Sequence, residues 1–322
     1  MKLKKILLIS VSIVTIYAAY IGFSLFSLPS VAGLADRRMS MTIQVKDWQG
    51  DFHPFVVGPK NHYWTPSASI PPEMKWAVIV AEDARFYRHE GVDVKALKKA
   101  IKYDLEKKSF ARGASTITQQ TAKNLFLSRE KSITRKIEEL ILALRMEQEL
   151  TKGRIIELYL NVVELGPMIY GIGHGAQYYF GKPAALLTPR ESAFLVAMLP
   201  GPRVAFNPYR NLDRVMKRSD LILGLLRKKG VLSEDEYQLA LAETPNIAGL
   251  QAKVDDSIAR AEVPQVPISS ATVPPAGISP PPEETGGKGA VEENAPGPER
   301  TAPKDETAPR TPEGSGDKRH GE

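Results

Sequence analysis

A chain of 322 residues with no cysteine excludes a disulfide framework and any thiolate metal site, while its length allows one or two domains with a sizeable core. The formal net charge of +6 is unevenly placed: 8 basic and 13 acidic residues lie from Gln251 onward, so residues 1–250 carry +11. A basic body of that kind points to a polyanionic partner, whether nucleic acid, anionic lipid or a phosphorylated substrate.

Lys2, Lys4 and Lys5 precede an uncharged run from Ile6 to Leu28. Roughly 20 apolar residues span a bilayer, whereas the apolar core of a cleavable signal peptide is about 7–15 residues. The pattern predicts an uncleaved signal anchor, with residues 1–5 in the cytoplasm and residues 6–28 in the membrane. Arg37 and Arg38 on the far side reduce the charge bias that sets orientation, and cleavage near Ala32–Ala35 is the alternative. Residues 29–63 then read as a linker, with short strands or irregular structure among the Gly, Pro and aromatic residues of 39–75.

Ile70-Pro71-Pro72-Glu73 opens a helix, because prolines fit its first turn. Its apolar run Trp76–Val80 ends at Glu82 and Asp83, and His89-Glu90-Gly91 breaks the pattern. Taken alone, such an acidic pair is most often a solvated helix end. Val94, Leu97, Ile101 and Leu105 recur at helical spacing with Lys95, Lys98, Lys99 and Lys102 around them. A helix of this kind suits an anionic membrane surface. Gly113-Ala114-Ser115-Thr116 leads from a loop into a further helix, on which Thr116, Gln120, Lys123 and Asn124 share one polar face. That face is either a wet helix surface or a donor-rich groove wall. Gly113 permits unusual dihedrals at the turn, and Lys123 is a point charge suited to phosphate.

The next helix, from Ile133 to Leu150, is expected to bury Ile137, Leu140, Ile141 and Leu144. On it Arg135 and Lys136 stand four and three residues before Glu139, so three charges share one face. An ordinary surface ion-pair pattern would look the same. Glu157 and Asn161, four apart on the helix Ile155–Val163, read as polar groups bracing a neighbouring loop. Glu191–Leu199 is another helix, and Ser233-Glu234-Asp235-Glu236 is a capping box that opens the last one after Gly230. The body is therefore expected to be mainly α. Residues 246–322 are Pro-rich and acidic, with no aromatic after Tyr237, and are expected to be a disordered tail.

Four stretches occur in order: E-D-x-x-F-x-x-H-x-G from Glu82 to Gly91, G-x-S-T-I-T-Q-Q-x-x-K-N from Gly113 to Asn124, R-K-x-x-E from Arg135 to Glu139, and I-x-E-x-Y-L-N ending at Asn161. Together they resemble the successive motifs of glycosyltransferase family 51, shared by class A penicillin-binding proteins and monofunctional transglycosylases. The resemblance runs from about Trp64 to Asn211 and includes Tyr178-Tyr179-Phe180-Gly181-Lys182-Pro183; Ala114, where the family often has a second Gly, is a departure. It implies a lysozyme-like, mainly α domain over residues 64–245, with a membrane-facing part. It also implies an inner-membrane, single-pass enzyme of cell wall synthesis whose domain lies on the periplasmic or extracytoplasmic side and polymerises lipid II into glycan.

On that resemblance Glu82 is the general base and Glu139 the second acidic residue, with room for a divalent cation, Mg or Mn, at Glu139. Lys123, Arg135 and Lys136 lie near the diphosphate, with Ser115, Thr116, Gln120 and Asn124 along the substrate groove. Asp83, Phe86, His89, Gly91, Gly113, Glu157 and Asn161 are expected to shape the site rather than react. The partners implied are lipid II, the nascent strand, the membrane and other cell-wall synthesis proteins, with no nucleic acid and no organic cofactor. A transpeptidase domain would need a few hundred residues, and none fits between Glu243 and Glu322, so a monofunctional chain is expected. The alternatives are a peptidoglycan-cleaving enzyme of lysozyme-like fold and a non-catalytic scaffold.

Overall fold

The computed structural model describes residues 2–107, 115–128, 130 and 132–248. The chain divides into two units, Met1–Pro280 and Pro281–Glu322, and the second lies wholly outside the described residues, as does nearly all of the expected tail.

Helix α1 (Lys2–Phe26) holds the apolar run, and its segment Lys4–Phe26 is long and apolar enough to cross a membrane. After a 3-10 turn at Ala32–Ala35, β1 (Met41–Lys46) pairs antiparallel with β2 (Phe52–Val57), from Met41 opposite Val57 to Lys46 opposite Phe52. The hairpin turn is tied by Asp47, whose Oδ1 accepts the N–H groups of Gln49, Gly50 and Asp51. The stretch expected as a linker is thus an ordered part of the fold. Val31, Leu34, Ile43, Val45 and Val57 join the common core, and Arg154 donates to the carbonyl of Leu34 at 2.8 Å. Alternating apolar residues in strands this short find their burial against the helices.

The helices follow in the order α2 (Pro72–Glu82), α3 (Val94–Lys107), α4 (Ile117–Phe126), α5 (Ile133–Glu149) and α6 (Lys152–Val162). A short pair, β3 (Glu164–Gly166) and β4 (Ile169–Tyr170), leads to α7 (Ile172–Phe180), α8 (Pro189–Met198), α9 (Pro208–Lys228) and α10 (Glu234–Ala242). The mainly α expectation holds. Most starts are capped: Ser233 forms the capping box that the sequence implies, and Thr116 and Thr188 form two more, each with the Gln or Glu three residues on. Gly181 closes α7 in the left-handed conformation, with φ +68°.

Two helical groups matter for the site. Helix α2 packs on α8 and α9, while α4 packs on α5 and α6. Within the first group buried Arg190 of α8 donates to the carbonyls of Ala240, Leu241 and Glu243, satisfying the C-terminal end of α10, and pairs with Asp220 at 2.6 Å.

The expected buried stripe of α5 is corrected. Leu142, Ala143 and Met146 are the buried face, whereas Ile137, Leu140 and Ile141 are only part-buried and Leu144 is exposed. The helix has two apolar faces, and the second meets α1, where Tyr17 and Thr134 share a hydrogen bond at 3.2 Å and Ser24 donates to Glu138. On α3 the stripe is not buried either: Val94, Leu97 and Ile101 are all exposed. An apolar stripe left outside among lysines is the form of a helix that meets a membrane surface.

Candidate active site

Helix α2 ends at Glu82 because Asp83 leaves helical geometry, with φ −155° and ψ 71°. Asp83 is buried and fully used. His89 Nε2 lies 2.9 Å from its Oδ1, and its Oδ2 accepts the N–H of Ile117, the first residue of α4, at 3.1 Å. A carboxylate there satisfies an N–H that the helix cannot and sits at the favourable end of the helix dipole. Asp83 therefore joins the end of α2 to the start of α4, and its bond to His89 ties down the loop between them.

Gly91 has φ +80°, and a Cβ there would come within 3.2 Å of the Ala143 carbonyl, so only glycine sits without strain. Its own carbonyl accepts from Thr116 Oγ1 at 2.6 Å. Phe86 is fully buried beneath the same loop, with the Lys152 ammonium 4.4 Å from its ring centroid. Gly113 lies outside the described residues.

The Glu82 side chain remains 13% exposed and is held at both oxygens. Gln120 Nε2 donates to Oε2 at 3.1 Å, and the Arg218 guanidinium, only 3% exposed on α9, stands 3.4 Å from Oε1. Tyr159, buried on α6, donates to Gln120 Oε1 at 3.3 Å and so turns the amide nitrogen toward Glu82. Burial pushes the Glu82 carboxyl above the usual carboxylate range, and Asp83 adds to that; Gln120, Arg218 and Lys123 pull it back. The result is a carboxylate poised to take a proton.

The second acid, Glu139, is 2% exposed and lies on α5. Arg135 donates to its Oε2 at 2.9 Å, and Lys136 donates to its Oε1 and to Ser115 Oγ at 3.0 Å. One buried carboxylate thus fixes two cations along the same helix, and α4 links the two clusters through Ser115 at its start and Gln120 one turn on. Lys123 and Asn124 follow on α4, half-buried. Thr116 is not on an open face: it is the buried N-cap residue.

Both oxygens of Glu139 are taken by cations. Among the described residues no group of three or more His, Asp or Glu side chains could hold a metal ion. A carboxylate already neutralised by two cations is not a donor set that fits a resident divalent ion. Of the two polar groups on α6, Asn161 reaches the loop before α2, whereas Glu157 pairs with Arg154 within its own helix. Asn161 accepts from the Thr65 N–H at 2.7 Å and donates to the Thr65 carbonyl, while Glu157 lies 3.2 Å from Arg154.

Arg218 and Tyr159 were not among the residues that sequence reasoning assigned to the site. For Arg218 a signal existed: it stands three after Val215 and four before Ile222, a cation set within the buried stripe of α9.

Comparison with known proteins places these residues in a family. The Transglycosylase family model matches residues 52–227. The chain is 41% identical over 219 residues to penicillin-binding protein 1A of Escherichia coli (strain K12), covering 68% of this chain and 26% of that one. It is 44% identical over 166 residues to a biosynthetic peptidoglycan transglycosylase of Nitrosomonas eutropha, covering 52% of this chain and 68% of that one. A solved structure of penicillin-binding protein 1A from Haemophilus influenzae is similar at 21% identity with a TM-score of 0.35, over 69% of this chain and 24% of that one. The match thus spans about a quarter of the penicillin-binding proteins and about two thirds of the shorter transglycosylase.

Proposed function

The chain belongs to the transglycosylase family, and on that premise we propose that it is a peptidoglycan glycosyltransferase that polymerises lipid II into glycan strands. The observation that carries this reading is the pairing of one poised carboxylate, Glu82, with a fixed cation pair, Arg135 and Lys136, on helices joined by α4. Base and leaving-group stabiliser are the two groups the transfer needs.

In the reaction the 4-hydroxyl oxygen of the acceptor sugar attacks C1 of the growing chain. The C1–O bond to undecaprenyl diphosphate breaks, the diphosphate leaves with the electron pair, and C1 is inverted from α to β. Glu82 takes the hydroxyl proton as attack proceeds. Charge develops on the departing diphosphate, and Arg135, Lys136 and Lys123 meet it with preorganised donors. Glu139 holds Arg135 and Lys136 in place before substrate arrives. A peptidoglycan-cleaving enzyme has no use for this cation cluster, and a scaffold has no use for the poised acid.

In this reading α1, long and apolar enough to cross a membrane, is a single-pass anchor in the cytoplasmic membrane, the domain lies on the outer side where lipid II is consumed, and cell-wall synthesis proteins are its neighbours. The test is incubation of the full chain with lipid II and, separately, with finished glycan. Polymer from lipid II supports the reading. Fragments released from finished glycan without polymerisation would assign the cleaving activity, and no product from either would assign a scaffold.

A further inference from the structure

Resting on that reading of Glu82 as the base, we infer that Arg218 is a positioning residue for glycosyl transfer: its guanidinium fixes Oε1 of Glu82 and keeps that carboxylate ionised until it accepts the proton. Arg218 comes from α9, 136 residues away in sequence, and belongs to none of the four motif stretches.

Its position is costly in isolation. A guanidinium buried to 3% exposure must be paired, and among the described residues Glu82 is the acidic group that faces it. Among the described residues its Nε and a further guanidinium nitrogen have no hydrogen-bond partner. The face of Phe206 covers it at 5.6 Å, an apolar wall that holds the head toward Glu82. A merely structural arginine in this fold looks different: Arg190, equally buried, donates to three carbonyls and to Asp220. Arg218 instead directs its charge at the carboxylate of the base.

The division of labour at Glu82 is then complete. Gln120, oriented by Tyr159, holds Oε2, and Arg218 holds Oε1. An ionised carboxylate has about four lone-pair sites, so both oxygens keep capacity for the acceptor proton. The other charged groups acting on Glu82 are Asp83, the residue just past the end of α2, and Lys123 on α4; the buried Tyr159 hydroxyl on α6 faces it too. On α8, which also packs against α2, Arg190 is committed to Asp220 and Glu191 to Lys182. Arg218 is thus the buried cation that offsets the desolvation of the base. The 3.4 Å separation is loose for a guanidinium–carboxylate pair, a geometry that orients the acid without consuming it.

The experiment compares the full chain with Arg218→Gln and Arg218→Lys. Two readouts are taken: the acid limb of kcat/KM for lipid II polymerisation, and the carboxyl titration of Glu82 by 13C-Glu NMR, its signal assigned by its loss in Glu82→Gln. Arg218→Gln should move both upward by about one pH unit or more, with roughly a tenfold rate loss at a fixed pH below the limb. Arg218→Lys, which keeps the charge but not the fork, should move them in the same direction by less and also lower kcat. A folded Arg218→Gln with both midpoints where the wild type has them would overturn the inference. If that variant does not fold, unmoved midpoints in Arg218→Lys overturn it equally. A wild-type chain that does not polymerise lipid II counts against the activity, while the carboxyl titration still judges Arg218.

Discussion

The carboxylate of Asp83 accepts the backbone N–H of Ile117 at 3.1 Å, so the residue after the candidate base is the one that seats the start of α4. Two neighbouring acids therefore hold different offices. Glu82 faces the site and stays part-exposed, while Asp83 is spent on His89 and Ile117.

Glu82→Gln keeps shape and hydrogen bonding but cannot accept a proton, so turnover should fall by about 10²–10⁴. Lipid II binding should change much less, because in the proposed reaction the diphosphate is met by Lys123, Arg135 and Lys136 rather than by Glu82. Steady-state polymerisation alongside direct binding decides it, and near-normal turnover in Glu82→Gln would remove Glu82 from the role of base.

Asp83→Asn should act on the fold first. An amide has one acceptor oxygen for two donors and turns its NH2 toward one of them. The expected loss is about 1–3 kcal/mol of stability, seen as a lower denaturation midpoint together with reduced activity. A fully stable, inactive Asp83→Asn would place the proton acceptor one residue along.

Glu139→Gln removes the charge that compensates Arg135 and Lys136 in a buried setting. Both cations lose their common anchor, so lipid II binding and turnover should fall together, unlike the turnover-dominated effect at Glu82. Unchanged binding with lost turnover would instead assign Glu139 directly to the reacting atoms.

The pH dependence follows from the raised Glu82 carboxyl. Its folded value lies above its unfolded one, so between the two the folded chain binds the extra proton. Stability from this group is present at pH below the unfolded value and is lost as pH rises through the folded value. Activity runs the other way: it should decline as pH falls through the folded value, with an acid limb above the ordinary glutamate range of about 4.3. An acid limb at or below that range would contradict the desolvated setting of the base.

Lys98, Lys99 and Lys102 flank the exposed stripe Val94, Leu97 and Ile101 on α3. Changing the three lysines to Glu should weaken binding of the chain without α1 to anionic vesicles, by roughly 1 kcal/mol per residue near the surface. Equal binding of the unchanged sequence to neutral and anionic vesicles would exclude the electrostatic part.

What was legible beforehand was local. The run from Ile6 to Leu28, the capping box at Ser233, the break after Asp83 and the Arg135–Lys136–Glu139 face all follow from spacing within a few residues. The capping box and the three-charge face are satisfied within the helix that carries them. Tertiary structure decided the rest. A helix with two apolar faces does not say which turns inward, so α5 buries Leu142 and Met146 and gives its other face to α1. Nor can spacing announce that Arg218 meets Glu82, or that Asp83 seats Ile117, because those contacts join segments 136 and 34 residues apart. Periodicity reports how a segment would like to fold; the partner of a buried charge is chosen only when α2, α4 and α9 close around it and leave it nowhere else to go.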